Sequence, residues 1–207
     1  MRKIIPTVFA KSKLEFNKRF EKLIKLNTDL HIDFMDGKFV KSKGIKISQI
    51  PNLKNYNVNF EAHLMTNNPE KYIFILKKKG FQKIIFHYEA VKDNKINNLI
   101  NKIKQKDMHP IIAFNPGTNI IDFNIDVLLM GVYPGKEHQR FISKVYEKIK
   151  RLRSINKTIK IHVDGGVNLS NIKKLRKLGV NYINSGSFIS DSENPRKELN
   201  NLEKAFI

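Results

Sequence analysis

The feature that most constrains the fold of this chain is a regular alternation of short β-rich runs with helical segments. This alternation is typical of a parallel sheet whose strands are connected by helices. The runs predict eight strands, at residues 3–9, 30–35, 58–65, 83–87, 110–114, 127–132, 159–163 and 182–185.

Residues typical of helix ends occur between many of these strands, as expected for βα units. The predicted boundaries are an Asn68-Pro69 start with a Gly80 end, an Asn168 or Ser170 start with a Gly179 end, and an Asn194-Pro195 start. The last predicted helix has Leu199, Leu202 and Phe206 at spacings that place them on one face. This last helix therefore has an apolar side available for packing against a sheet.

Eight βα units within 207 residues predict an α/β fold, specifically a (β/α)8 TIM barrel in a single domain, residues 1–207. An open doubly wound sheet is the structural alternative. Neither G-x-G-x-x-G nor G-x-x-x-x-G-K-[ST] follows an early strand, which disfavours the open sheet. In a barrel of this kind the chemistry is expected at the carboxyl ends of the strands.

Composition excludes several classes of function. The chain contains no cysteine, which excludes disulfides, thiolate metal sites and a cysteine nucleophile, and suits the cytoplasm. No apolar run approaches the roughly 18 residues that a membrane span needs. The apolar opening, Ile4–Ala10, contains Pro6 and leads directly into lysine residues, so no signal peptide is expected. The 39 Lys and Arg against 19 Asp and Glu give a net charge of +20, but the excess is spread from Lys3 to Lys204. This spread favours a lysine-rich solvated surface over a nucleic-acid-binding patch.

Potential metal ligands occur near the ends of three predicted strands. Side chains alternate along a strand, so His31 and Asp33 share one face. His63 is near the end of the next strand, and Asp164 follows the seventh. Together these four residues predict a site for one divalent cation, and their nitrogen and oxygen donors suit Zn²⁺, Fe²⁺, Mn²⁺ or Co²⁺ equally.

Several segments, in order along nearly the whole chain, resemble the signatures of the ribulose-phosphate 3-epimerase family. These are residues 31–40 (HIDFMDGKFV), 61–65 (EAHLM) followed by Pro69, 115–118 (NPGT), 129–135 (LMGVYPG), 163–166 (VDGG) and Gly186-Ser187. The resemblance implies a (β/α)8 barrel, a metal bound by His31, Asp33, His63 and Asp164, and a homo-oligomer.

The resemblance also implies an activity, the interconversion of D-ribulose 5-phosphate and D-xylulose 5-phosphate in the pentose phosphate pathway. Asp33 and Asp164 would be the two acid/base groups that epimerisation next to a ketone requires. Met35, Met65 and Met130 would pack against the reacting carbons, and Thr7 and His63 would contact the substrate. Two alternatives stay open: an epimerase of a ketohexose 6-phosphate such as allulose 6-phosphate, and a non-catalytic basic barrel that binds phosphorylated ligands or nucleic acid.

The phosphate group of the substrate is expected at the last loops of the barrel. Gly165-Gly166 and Gly186-Ser187 follow the seventh and eighth strands, where backbone N–H groups favour an anion. The loop after Gly135 departs from the family, because Lys136-Glu137-His138-Gln139 stands where the family has Phe-Gly-Gly-Gln. Two interpretations are open: Lys136 or His138 replaces the missing backbone contacts with a side-chain contact, which is slightly favoured, or the loop serves a different sugar phosphate. Lys41-Ser42 likewise stands where the family usually has Pro-Asn.

Overall fold

In a computed structural model that describes residues 2–207, the chain forms a closed barrel of eight parallel strands in chain order, and the last strand is paired to the first. The strands are β1 (Lys3–Val8), β2 (Leu30–Met35), β3 (Phe60–Met65), β4 (Lys83–His87), β5 (His109–Phe114), β6 (Asp126–Met130), β7 (Ile161–Asp164) and β8 (Tyr182–Ser185). The predicted fold class is confirmed, and the predicted strands differ from these by at most two residues at either end. Met1 lies outside the described residues.

Within the described residues, seven α-helices pack outside the strands. They are α1 (Lys13–Ile24), α2 (Ile73–Lys79), α3 (Asp93–Lys104), α4 (Val145–Ile155), α5 (Ile172–Lys177), α6 (Ser187–Ser190) and α7 (Pro195–Phe206). The side-chain oxygen of Asn194 accepts a hydrogen bond from the Lys197 N–H, which confirms the predicted start of α7. Within residues 2–207, no helix is both long and apolar enough to cross a membrane.

The regular βα repeat predicted from the sequence is incomplete. Two short 3₁₀ turns, Ile47–Gln49 and Leu53–Asn55, stand in place of a helix after β2, and the fully described segment 115–125 between β5 and β6 contains no helix. Short connections suit a barrel of this size, because 207 residues leave little chain for eight full helices.

Two predicted helix starts are also corrected. The Asn68-Pro69 signal begins a 3₁₀ turn, Pro69–Tyr72, that leads directly into α2. Neither Asn168 nor Ser170 is the N-cap of α5; Asn171 holds that position. The side chain of Asn168 instead accepts hydrogen bonds from Ser170, which makes a local turn before the helix.

The strands have two differently composed faces, and this difference positions the site. The outward-facing Ile32, Phe34, Ala62 and Leu64 belong to the main hydrophobic core between the barrel and its helices. The inward faces carry a smaller apolar cluster, Ile85, Ile111, Ala113, Leu128, Met130 and Val132. Buried polar residues on other inward positions therefore converge inside the barrel.

Candidate active site

Four buried side chains from β2, β3 and β7 meet inside the barrel at its carboxyl end. His31, Asp33, His63 and Asp164 each offer one ligand atom, and these atoms all lie within 4.8 Å of one another. The parallel register places Asp33 beside His63, and each is near the end of its strand. The structure thus brings together all four residues that the sequence predicted as metal ligands.

Asp33 is the centre of this cluster. Its Oδ1 lies 2.8 Å from Nδ1 of His63 and 3.1 Å from Nε2 of His31. Oδ2 of Asp164 is farther away, at 3.7 Å from Nδ1 of His63 and 4.0 Å from Nε2 of His31. Two carboxylates and two imidazoles therefore face one small volume.

The donor set fits a divalent cation. Metal–ligand bonds of roughly 2.0–2.1 Å in a tetrahedral site put the ligand atoms about 3.3 Å apart. The four histidine–aspartate separations, 2.8 to 4.0 Å, bracket this value. Nitrogen and carboxylate oxygen donors are also those that Zn²⁺, Fe²⁺, Mn²⁺ and Co²⁺ share. The cluster can hold such an ion with small side-chain adjustments.

The charges of the cluster also favour a bound cation. Burial by itself lowers the pKa of His31, but hydrogen bonds to Asp33 and Glu61 outweigh it and raise the pKa to about 10. Burial favours protonation of Asp33, yet hydrogen bonds from His31 and His63 hold its pKa well below the usual range. The surroundings therefore stabilise positive charge at this point, which a metal ion would supply in place of the proton.

The second carboxylate behaves differently. Burial raises the pKa of Asp164 to about 6, and the neighbouring Asp33 acts in the same direction, while His31 and His63 oppose it. Without a cation, the surroundings thus favour ionised Asp33 and make Asp164 easier to protonate. A nearby carboxyl pair with unlike proton affinities is typical of acid/base sites.

A second layer of buried residues orients His31. Its Nδ1–H donates to Oε1 of Glu61 over 2.8 Å, which leaves Nε2 to face Asp33 and the site. The side-chain N–H of Asn184 donates to the same Oε1, and Lys83 Nζ lies 3.4 Å from Oε2. Burial raises the pKa of Glu61, but His31, His162 and Lys83 outweigh it and keep the carboxyl ionised. A carboxylate behind a ligand histidine fixes its tautomer and orientation.

His63 has a comparable partner. Its Nε2 lies 2.9 Å from Nε2 of His87, so one of the two rings donates to the other. Burial lowers the pKa of His87 to about 4, against the opposing effect of Glu89, so His87 is neutral at neutral pH. Nδ1 of His63 therefore remains directed at Asp33.

A pocket opens above the cluster, and most of the predicted substrate residues line it. Thr7, Met65, Met130, Gly135, Lys136, Gly165, Gly166, Gly186 and Ser187 contribute to its wall together with Asp33 and Asp164. The hydroxyl of Thr7 and the carbonyl oxygen of the Asn184 side chain are buried without a partner among the described residues. These two atoms leave hydrogen-bonding capacity for a polar ligand.

Two predicted substrate contacts do not line this pocket. Met35 is buried in a small apolar cluster with Phe9 and Met65, which do line the pocket. His63 lies at the base of the site, between Asp33 and His87. Met35 thus supports Met65, and His63 faces the metal cluster.

Four further residues at the site were not predicted from the sequence. Glu61, Asn184 and His87 support the two histidines of the cluster. Arg19, on α1, forms an ion pair with Glu137 of the loop after β6. Glu61 and His87 carried a weak signal, because each is a polar residue at an inward strand position.

Gly131 allows the loops after β6 and β7 to approach each other. Its N–H donates to the Asp164 carbonyl oxygen over 2.6 Å, and a Cβ at this position would overlap the Gly165 carbonyl oxygen and lie 2.8 Å from Cε2 of Phe141. We expect Gly131→Ala to lower the free energy of unfolding by about 1–3 kcal/mol, as overpacking does. Urea unfolding measures this change.

Gly117→Ala is the matched control for this substitution. A Cβ there would meet only the Tyr133 hydroxyl, at 3.6 Å, which is an ordinary contact. We expect the control to change the unfolding free energy by less than about 1 kcal/mol. Equal effects of the two substitutions would mean that the close approach at Gly131 is unimportant.

The fold and this site define a (β/α)8 barrel with a histidine–carboxylate cluster suited to a metal ion at the carboxyl ends of its strands. Residues 3–190 match the model of the ribulose-phosphate 3 epimerase family. The chain belongs to this family.

Individual relatives agree with the family match. The chain is 32% identical over 214 residues to the ribulose-phosphate 3-epimerase, cytoplasmic isoform, of Oryza sativa subsp. japonica, covering 98% of this chain and 93% of that protein. It is 30% identical over 216 residues to the ribulose-phosphate 3-epimerase of Schizosaccharomyces pombe, with 99% and 94% covered. Among solved structures, 3-hexulose-6-phosphate synthase from Salmonella typhimurium shares the fold, with a TM-score of 0.70, 12% identity and 99% and 98% covered.

Proposed function

We propose that this chain is a metal-dependent isomerase that interconverts D-ribulose 5-phosphate and D-xylulose 5-phosphate by removing and returning a proton at carbon 3. The observation that carries the proposal is the convergence of Asp33 and Asp164, from β2 and β7, on one cluster with two histidines. Epimerisation needs an acid/base group on each face of the reacting carbon, and a carboxyl pair in one pocket meets this need.

The two carboxyl groups have complementary roles in this mechanism. Asp33 is held ionised by His31 and His63 and accepts the proton from one face of carbon 3. Asp164 donates a proton to the other face, and the roles exchange in the reverse direction. Without a cation, burial raises the pKa of Asp164 to about 6, which makes this carboxyl the easier of the two to protonate. A carboxylate is a weak base toward a C–H bond, so stabilisation of the enediolate is essential. A divalent cation held by His31, Asp33, His63 and Asp164 would supply Lewis acidity for this.

The remaining pocket residues bind and shield the substrate. Met65 and Met130 exclude water from the reacting carbons, with Met35 packed behind Met65. The hydroxyl of Thr7 is free to bond a polar group of the sugar. The phosphate end is assigned to the part of the pocket wall formed by Gly135, Lys136, Gly165, Gly166, Gly186 and Ser187.

Gly166 illustrates why small residues occur at this wall. Its φ is +69°, a region that favours glycine, and a Cβ would lie 2.8 Å from the Phe141 backbone nitrogen. The loop after β7 can therefore turn sharply and keep its backbone N–H groups near the pocket. Such N–H groups favour an anion.

The proposal also includes a cytoplasmic location, a homo-oligomeric state, one catalytic domain over residues 1–207 and a cation from the set Zn²⁺, Fe²⁺, Mn²⁺ and Co²⁺. The location is supported by the name of the rice relative, a cytoplasmic isoform. The cation set is supported by the nitrogen and oxygen donors of the cluster. The small-molecule partner is a sugar phosphate.

The test is incubation of metal-loaded protein with ribulose 5-phosphate in deuterated water. We expect xylulose 5-phosphate to form with deuterium at carbon 3. A parallel incubation with allulose 6-phosphate distinguishes the ketohexose alternative, and a faster reaction there would replace the pentulose assignment. Absence of reaction with both, together with tight and strongly salt-dependent binding to nucleic acid, would support the non-catalytic barrel.

Lys136 gives a specific prediction within this proposal. It is exposed, lines the pocket and is the residue of its loop expected to contact the phosphate by charge. We expect Lys136→Ala to raise the KM for ribulose 5-phosphate about tenfold, the effect of losing roughly 1.4 kcal/mol of binding, with little change in kcat. Steady-state kinetics at constant ionic strength measure this.

The alternative within the loop is His138, whose Nε2 lies 3.4 Å from Oδ2 of Asp191. His138→Ala is therefore measured beside Lys136→Ala. An unchanged KM in the lysine variant would exclude Lys136 as the phosphate contact, and a raised KM in the histidine variant alone would transfer that role to His138.

A further inference from the structure

An ion pair connects the loop after β6, residues 131–144 and called the β6 loop below, to helix α1 at the edge of the pocket. Nη1 of Arg19 donates to Oε1 and Oε2 of Glu137 over 2.9 and 2.8 Å, and both side chains are only 15% exposed. The same Nη1 donates to the Phe9 carbonyl oxygen over 2.7 Å, while Nη2 donates to Oδ1 of Asp191 over 3.1 Å. Arg19 therefore joins the end of β1, the β6 loop and the residue after α6.

The carboxylate of Glu137 is placed at the wall assigned to phosphate. Glu137 lines the pocket together with Gly166, Gly186 and Ser187, and its Oε1 lies 3.7 Å from the point that a Cβ of Gly186 would occupy. A phosphate dianion would meet this negative charge at close range, where repulsion between like charges is strong. Burial already raises the pKa of Glu137, and Asp191 and Asp33 do so too, although Arg19 opposes them.

The β6 loop is also held by bonds of its own. The side-chain N–H of Gln139 donates to the carbonyl oxygens of Tyr133 and Lys136 over 2.7 and 2.9 Å. His138 adopts a φ of +59°, which is uncommon for a residue other than glycine. The loop thus has a defined conformation across the pocket edge, and the Arg19–Glu137 pair is its link to α1.

We propose that Arg19 is a positioning residue for the phosphate end of the site: it neutralises Glu137, draws the carboxylate toward α1 and so lets an anionic group bind at Gly166, Gly186 and Ser187. This inference rests on the proposed function, because the anion it concerns is the phosphate of the substrate. A testable consequence is that phosphate binding requires Arg19 only when Glu137 is present. Loss of Arg19 alone leaves a bare carboxylate at the phosphate wall, whereas loss of both charges does not.

The experiment compares wild type, Arg19→Met, Glu137→Gln and the double variant in the full-length, metal-loaded protein. We expect Arg19→Met to raise the KM for ribulose 5-phosphate at least tenfold while kcat changes less than threefold. The double variant should return the KM to within about threefold of wild type. A purely structural role for the pair predicts the opposite, a double variant as impaired as Arg19→Met, and that result would overturn the proposal.

Inorganic phosphate provides a second readout that does not depend on turnover. Its affinity for the four proteins, measured by calorimetry at constant ionic strength, should follow the same order as the KM values. If wild type binds phosphate but epimerises neither ribulose 5-phosphate nor allulose 6-phosphate, the proposed function is wrong. The phosphate affinities of the four proteins then still test the role of Arg19. If wild type binds no phosphate, or if all four affinities are equal, the role assigned to Arg19 is wrong.

Lys22→Met is the matched control. Lys22 lies on the same helix and donates to the carbonyl oxygens of Ser190 and Ser192, so it tethers α1 to the same segment without touching Glu137. Its removal should leave the KM and the phosphate affinity unchanged. Arg19→Gln, which keeps a donor for the Phe9 carbonyl oxygen, is studied in parallel so that the comparison does not depend on the folding of one variant.

Discussion

Asp33→Asn and Asp164→Asn are each expected to lower kcat by at least about 10²–10⁴-fold, the range for loss of a general acid or base. Each change keeps the size of the side chain and removes its capacity to exchange a proton. Both residues are almost fully buried at one cluster, so no neighbouring solvent-exposed group takes over the role. Each change also removes a negative charge from the proposed metal site, which adds to the loss.

The decisive measurement is exchange of the carbon-3 hydrogen of the substrate with deuterated water. Near-normal exchange in either variant would contradict the assignment of that residue. Asp126→Asn is the matched control, because Asp126 is a carboxylate at the opposite end of the barrel, bonded to His109 over 2.8 Å. The control should retain exchange, and circular dichroism should show that all three variants fold.

The second large effect is expected at Glu61. Glu61→Gln should weaken metal binding about 10–100-fold, the usual cost of losing the partner behind a ligand histidine. The reason is geometric: the carboxylate accepts the Nδ1–H of His31 over 2.8 Å and so directs Nε2 at the metal position. A glutamine can present its N–H group to His31 instead, which would favour the wrong tautomer.

Metal affinity is measured by competition with a chromophoric chelator, and the Co²⁺ absorption spectrum reports the ligand geometry. Asp29→Asn is the matched control, because Asp29 also pairs with a lysine, Lys3, over 2.9 Å, but makes no contact with the metal cluster. Unchanged metal affinity in Glu61→Gln would show that Asn184 and the barrel packing orient His31 without the carboxylate.

The cluster of four potential metal ligands was predictable from the sequence because it depends on rules that act locally. His31 and Asp33 are two residues apart on a buried strand, so they face the same way. His63 and Asp164 are also near the ends of strands, and the parallel barrel brings those ends to one opening. Strand periodicity and the order of the elements were sufficient for this part of the site.

The support of the site was not predictable in the same way. Glu61 contacts Asn184 because closure of the barrel brings the inward faces of β3 and β8 together. It contacts Lys83 because β4 is paired with β3. Such contacts depend on the register between strands and on side-chain length, and neither follows from the pattern of one chain. Arg19 presents the same difficulty, since a charged residue on an amphipathic helix is expected to face solvent.

The conformations of the segments that connect the strands were also not predictable from the sequence. The absence of a helix in residues 115–125 and the start of α5 at Ile172 depend on how the chain packs over the barrel rather than on local propensity. Asn168 and Ser170 are good capping residues, yet they bond each other in a turn. Several polar residues in succession offer competing local bonds, and packing selects among them.

The pairing of β8 with β1 has a consequence for aggregation. In the barrel formed by residues 3–185, four register pairs from Lys3–Tyr182 to Pro6–Ser185 join the last strand to the first. An open sheet would leave rows of unpaired backbone groups that a second molecule could extend by strand addition. Until β8 emerges from the ribosome, a nascent chain has such free edges on β1 and β7. Pairing of β8 with both strands removes these edges, and with them the opportunity for strand addition by another molecule.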